Sequence, residues 1–175
     1  MPITEFATLQ LTSPYTLSSP PLQELFETLS TRQAAWSKHP LYFFVDALDS
    51  SIIYLITGWD DVPPHWRWIE SDENQELVKA FAPTYLTVKG LLHLEIDFTV
   101  IPKEVALVVA ERVVTHEEIK ESPPDASWVA AGRDLEEGSS TLYIFSEKMG
   151  EVMGSEIGGK ERSDAIVMRR IWSFR

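Results

Sequence analysis

Apolar and polar positions change period several times along this chain, and each change marks an element. Ile3 to Leu11 is a run of β-formers and apolar residues closed by Thr12, Ser13 and Pro14, which predicts a strand. Ser18 and Ser19 precede Pro20 and Pro21, a helix start: a Ser side chain can accept from an early backbone N–H, and Pro lacks the donor that would be orphaned. Leu22, Leu25, Phe26, Leu29 and Trp36 then recur on one face of a 3.6-residue period, so this helix should lay its stripe on a sheet. Leu41 to Leu48 and Ser51 to Thr57, joined by Asp49 and Ser50, predict a hairpin. Pro63 and Pro64 open a short aromatic segment, His65 to Ile69. Ser71 or Asp72, with acids and Gln75 behind it, resembles a capping sequence for a second helix running through Phe81 to Pro83, with Leu77, Val78 and Phe81 inward. From Gly90 to Phe98 the period returns to two, with Leu92, Leu94, Ile96 and Phe98 on one side and His93, Glu95 and Asp97 on the other.

The order is β, α, β, β, α, β, a ferredoxin-like α+β unit. The rest of the chain repeats much of it. Val105 to Val114 predicts a strand, Ser127 to Leu135 and Ser140 to Ser146 a second hairpin, Glu147 to Ile157 a short helix, and Ala165 to Phe174 a last strand. The stretch from Thr115 to Asp125 is too short and polar to supply the missing first helix. Residues 1–98 therefore read as a complete unit and residues 105–175 as a degenerate second copy, both packing as one compact domain.

Composition narrows the field. At 175 residues with 44% hydrophobic content the chain can bury a substantial core. A net charge of −12, with the larger acid excess in residues 1–98, opposes binding to nucleic acid. There is no apolar run of membrane-spanning length, and Met1 to Gln10 has neither a basic nor an apolar leader region, so the mature chain is expected to begin here and to be cytoplasmic. The absence of Cys removes disulfides, thiolate catalysis and iron–sulfur clusters together.

The hairpin Leu41 to Trp59 ending in a Trp, the run His65-Trp66-Arg67-Trp68 with Ser71 and Asn74, the helix Leu77 to Pro83 and the triplet Leu92-His93-Leu94 carry a family resemblance. On these the chain resembles the dimeric α+β barrel superfamily, and within it the antibiotic biosynthesis monooxygenase type. The resemblance covers little more than the first half. In that family two ferredoxin-like sheets pack face to face, usually from two chains; here the degenerate copy would let one chain form the pair internally, as a monomer or within a homodimer. The resemblance implies a cofactor-independent oxygenase of specialised metabolism, in which deprotonation of an aromatic polyketide such as an anthrone or quinol lets the carbanion react with molecular oxygen. Relatives of this fold act as polyketide cyclases, decarboxylases or isomerases, and some bind haem; fold does not select among them.

His93 and Glu95 share a predicted strand face, a sound acid/base pairing because a carboxylate fixes the imidazole tautomer and raises its basicity. The plain alternative is a polar strand side paired with Arg112, Arg169 or Arg170. His93, Glu95 and Asp97 could hold a metal only with splayed geometry, so neither a metal nor a cofactor is expected. His65 is a second candidate base, and Trp36, Trp59, Trp66, Trp68 and Tyr85 could position a flat aromatic substrate, although most such rings serve a core. Gly154 to Lys160 has the spacing of a phosphate-binding loop, but Glu161 stands where the magnesium-binding hydroxyl should be. The expectation is a base-initiated enzyme with His93 or His65 as base; the rival is a ligand carrier or protein-interaction module.

Overall fold

The computed structural model describes residues 2–114, 127–147 and 164–172. In chain order they form β1 (Ile3–Leu11), α1 (Pro20–Ser37), β2 (Tyr42–Asp46), β3 (Ile52–Trp59), α2 (Val62–Glu70), α3 (Asp72–Phe81), β4 (Leu86–Leu94), a 3-10 turn (Phe98–Val100), β5 (Leu107–Val114), β6 (Val129–Arg133), β7 (Thr141–Ser146) and β8 (Asp164–Trp172). The eight strands make one sheet in the order β4-β1-β3-β2-β8-β5-β7-β6. Its first four strands have the ferredoxin-like arrangement, and β8-β5-β7-β6 repeats that order in the second half. The fold is thus α+β, with two four-strand sheets joined through the antiparallel β2–β8 pair. Past Glu147, the predicted helix at 147–157 lies outside the described residues, as do the 115–125 stretch and the Gly154 to Lys160 loop.

The outer strands meet as well. Leu94 bridges Asp134, Glu95 N donates to Arg133 O at 2.8 Å, and Leu135 N donates to His93 O at 2.8 Å, so the sheet curls into a barrel with a short seam. Gly132 makes this approach possible: a Cβ there would collide with the backbone carbonyl of Glu95.

Strand alternation sorts the core into two layers. Phe6 points into the barrel with Tyr54, Ile56, Leu94, Val108, Phe145 and Met168, while Ile3, Ala7, Leu9 and Leu11 face the helices with Leu22, Phe26, Phe43, Leu77 and Phe81. Among the described residues no helix is long and apolar enough to cross a membrane.

Several predicted boundaries shift, each for a local reason. The first hairpin strand stops at Asp46, whose carboxylate accepts from Leu48 N and Asp49 N and so opens a turn before the predicted Asp49-Ser50. The Pro-opened aromatic segment is a full helix, α2, started by the Asp61 side chain accepting from Val62 N. Ser71 then caps α3 by accepting from Asn74 N at 3.2 Å, as its sequence context predicts. On α1 the buried face runs Leu22, Phe26, Leu29, Ser30, Gln33 and Ser37, turning polar at its end and leaving Trp36 on the surface.

The largest correction concerns the fourth strand. It covers Leu86–Leu94, not Gly90 to Phe98. Past Leu94 the chain turns, with Ile96 N bonded to Leu94 O, and Asp97 accepts from Thr99 N to start the 3-10 turn. Ile96 and Phe98 still bury, as plugs in the barrel end, which is why their alternation mimics a strand.

Candidate functional site

β1 carries one acid on its helix-facing side. Glu5 sits between Ile3 and Ala7 in that alternation, is buried, and lies across from His93 of β4 in the strand register. Two donors bond to a single oxygen of its carboxylate and a histidine nitrogen lies beside it. Gln33 Nε2 of α1 donates to Oε2 at 2.7 Å, Trp59 Nε1 at the end of β3 donates at 2.8 Å, and His65 Nε2 of α2 lies 3.2 Å away. Oε1 has no protein donor among the described residues. Burial pushes the Glu5 carboxyl up to about 7, against the lowering effect of the Trp59 bond, the His93 charge and the Gln33 bond.

His65 is equally enclosed. Its ring stacks on Trp59 at 4.6 Å and 20°, and its Nδ1 lies 2.8 Å from His93 Nε2. Burial holds the imidazole down at about 3, so it faces Glu5 as a neutral ring, 3.2 Å away and not as an ion pair. With Glu5 ionised, Oε2 can only accept; a His65 ring protonated on Nε2 then has Nδ1 free to accept, and His93 donates from Nε2. His93 is also held below its ordinary value, first by burial and then by His65, with Glu5, Glu136 and Asp134 acting in the opposite sense.

Beside Glu5 lies a cavity of about 230 Å³ between the sheet and α1, α2 and α3. Its wall is largely apolar, including Ala7, Leu9, Leu29, Trp68, Leu77 and Phe81, with Glu5, Gln33, His65 and Asn74 as the polar exceptions. Val78 of α3 and Val88 of β4, both exposed, mark its mouth.

The structure gathers most of the residues singled out from sequence, though not as one face. His65, His93 and Trp59 join Glu5 in a buried group. Trp68 lines the cavity. Half-exposed Trp66 tilts against His93 at 5.6 Å. Trp36 lies on the surface 5.7 Å from Trp68, its Nε1 donating to Glu73 at 2.6 Å. Tyr85 is elsewhere, edge-on to Tyr15 at 4.7 Å, where it ties the end of α3 to β1. Glu95 is not brought to His93: it follows the end of β4, is exposed, and uses its backbone N–H at the seam. Asp97, likewise exposed, caps the 3-10 turn. Among the described residues no group of three His, Asp or Glu side chains is arranged to hold a metal ion.

Sequence reasoning missed Glu5 and Gln33. Both had a signal: an acid on the side of a strand otherwise formed by Ile3, Ala7, Leu9 and Leu11, and an amide continuing the stripe Phe26, Leu29 on α1. A polar side chain in an apolar period is either an error of phase or a buried polar group with partners.

No family model matches the chain, and no curated relative matches it. Solved structures do. A candidate monooxygenase of Fusobacterium nucleatum superposes with a TM-score of 0.63 at 10% identity, over 97% of this chain and 92% of that one. A candidate monooxygenase of Lactobacillus acidophilus gives 0.56 at 11%, over 97% and 93%. A candidate chlorite dismutase gives 0.62 at 8%, over 99% and 96%. Identities this low speak for architecture alone, and nearly full coverage on both sides speaks for all of it: the chain has the dimeric α+β barrel fold, with both sheets supplied by a single polypeptide.

Proposed function

We propose that the chain is an enzyme that takes a proton from a flat aromatic molecule seated between sheet and helices, and that the anion formed is then oxygenated. The observation that carries this reading is Glu5: a carboxylate in the wall of an apolar cavity, anchored through Oε2 by Gln33 and Trp59, with Oε1 free and its proton affinity near neutrality. A general base works best when its pKa lies near the working pH. His65 and His93 serve less well as the base itself, since the Nδ1 lone pair of His65 is engaged by His93, and His93 does not line the cavity.

The cavity suits the substrate class. An apolar cavity of about 150 Å³ takes up benzene, so this one has room for a larger ring system, stacked beside Trp68 with its acidic C–H or O–H toward Oε1. Asn74 and Gln33 offer hydrogen bonds to ring oxygens. The monooxygenase names of the structural neighbours and the family resemblance support oxygenation: an activated methylene loses a proton to Glu5, its carbanion adds molecular oxygen, the peroxide anion takes the proton back, and the hydroperoxide loses water as its O–O bond and the remaining C–H bond break, leaving a ketone. Cyclisation, isomerisation and decarboxylation of a polyketide-type compound differ from this path after the anion.

The test is oxygen uptake with an anthrone by wild type and by Glu5→Gln. Loss of a general base is expected to lower the rate by roughly 10²–10⁴-fold while anthrone still binds, and the wild-type rate should rise as pH passes through about 7. A Glu5→Gln protein that turns over normally ends this reading. Binding without oxygen uptake in wild type would favour a carrier.

A further inference from the structure

The proposed base is joined to a second polar group on the far side from the cavity. Glu5, His65 and His93 come from β1, α2 and β4, and their contacts run in one line: Oε2 to Nε2 at 3.2 Å, then Nδ1 to Nε2 at 2.8 Å. The line ends at Nδ1 of His93, for which no protein partner exists among the described residues. That atom is not sealed in: the one buried side-chain polar atom left without a partner among those residues is Trp128 Nε1. His93 packs against half-exposed Trp66, its carbonyl accepts from Leu135 N, and it senses the charges of Asp134 and Glu136. The line therefore leads from the cavity wall to the acidic turn after β6, away from the mouth at Val78 and Val88.

We propose that His65 and His93 form a proton wire through which Glu5 exchanges protons with water at the β4–β6 seam while the cavity is occupied. This rests on Glu5 being the base of the proposed reaction. With Glu5 ionised, each ring is neutral and carries its proton on Nε2. A proton from water bonds to His93 Nδ1; the Nε2–H of His93 breaks as a bond forms to His65 Nδ1; the Nε2–H of His65 breaks as a bond forms to Glu5 Oε2. One proton has entered, the carboxylate has become a carboxylic acid, and both rings are neutral with protons on Nδ1. The reverse steps discharge Glu5 to water. The two oxygens thereby divide the work, Oε1 toward the bound molecule and Oε2 toward the wire. The chain carries charge through a buried region without requiring either histidine to rest as a cation, which its burial disfavours. The plain alternative is that the two rings are only structural partners of Glu5.

The test needs no turnover. At pH 5, where Glu5 is protonated, its carboxylic acid band is followed by infrared after mixing into deuterium oxide, with Glu5→Gln identifying the band. The cavity is filled with naphthalene, which has no exchangeable proton. Wild type is expected to exchange promptly with naphthalene bound. His93→Gln keeps an N–H donor for His65 but cannot relay a proton, and should slow exchange at least tenfold; His93→Phe, which removes the donor too, should slow it similarly. Because the Glu5 band reports its own environment, its presence shows that the variant is folded at the site. Wild-type exchange rates in either variant with naphthalene bound would overturn the wire and leave the base reading standing. Normal oxygen uptake by Glu5→Gln would overturn the base reading and leave the exchange result intact.

Discussion

The two faces of β1 are built from adjacent residues and solve opposite problems. Thr4 and Phe6 face the barrel interior, where Phe6 lies 5.6 Å from Tyr54 and 5.3 Å from Phe145, ring against ring, and Thr4 Oγ1 donates to Ile96 O at 2.8 Å. Glu5 and Ala7 face the helices, where an acid is buried and a cavity of about 230 Å³ is left beside it. The inner layer is bounded on all sides by strands whose spacing is fixed by backbone hydrogen bonds, so it can be filled to native density. The outer layer is roofed by three helices that touch the sheet with side chains of unequal length, and a small residue such as Ala7 beneath them leaves room. A binding site is thus expected outside the barrel and a stabilising core inside it.

Truncation should separate the layers most sharply. Phe6→Ala removes a ring from the packed interior and is expected to cost about 3–5 kcal/mol. Leu77→Ala merely enlarges a cavity that already exists, and should fall near the low end for a buried leucine, about 2 kcal/mol. Urea denaturation of both variants measures this. Equal losses would mean that the helix-side layer is packed as tightly as the interior.

Glu5 gives the next largest effect, and with the reverse sign. Its carboxyl is raised from 4.5 to about 7, so the folded state binds the proton more tightly than the unfolded one. Stability from this group is complete below about pH 4.5 and is lost as pH rises through 7, a loss of about 3 kcal/mol for a shift of that size. His65 and His93 act oppositely: both are held below their ordinary value, so their stability is present above 6.5 and is lost toward acid. Glu5→Gln removes the first contribution and keeps the second, while its amide oxygen can still accept from Trp59 and Gln33. The variant should therefore be about 3 kcal/mol more stable than wild type at pH 8 and nearly equal at pH 4.5, in parallel melts. A pH-independent difference would show that the ionised carboxylate is not what the fold is strained to hold.

Much of the architecture was legible because period follows burial. The β1, α1, hairpin and α3 patterns each present one apolar side, and the second half repeats the strand order. His65, His93, Trp59 and Trp68 could be singled out as unusual side chains near predicted elements. Glu5 was hidden by the same alternation that revealed β1, since a strand is assigned from its majority and one acid does not change the majority. Glu95 drew attention for the converse reason. Ile96 and Phe98 keep a period of two beyond Leu94 because they plug the barrel, and their alternation carries Glu95 and Asp97 along as an apparent strand face. Contacts such as Gln33 with Glu5 depend on how α1 crosses the sheet, which no local pattern states.

The smallest effect is the most discriminating, because it applies one substitution to both faces. Ala7 lines the cavity and Ala110 of β5 lies in the barrel interior; both are buried. Leucine at 110 must displace neighbours already in contact, and overpacking of that kind costs about 1–3 kcal/mol. Leucine at 7 extends into free space between Leu55 and Leu91, its cross-strand partners, toward Leu77 and Phe81. There the buried methyl groups offset the ordering of the side chain, and stability should stay within about 1 kcal/mol of wild type. The same leucine occupies the volume that a ring system would fill, so naphthalene binding, followed by quenching or calorimetry, should weaken at least tenfold. Ala110→Leu, disturbing only the interior, should leave that affinity unchanged. Should Ala7→Leu bind naphthalene as well as wild type does, the ligand lies elsewhere and the outer face loses its claim to be the site.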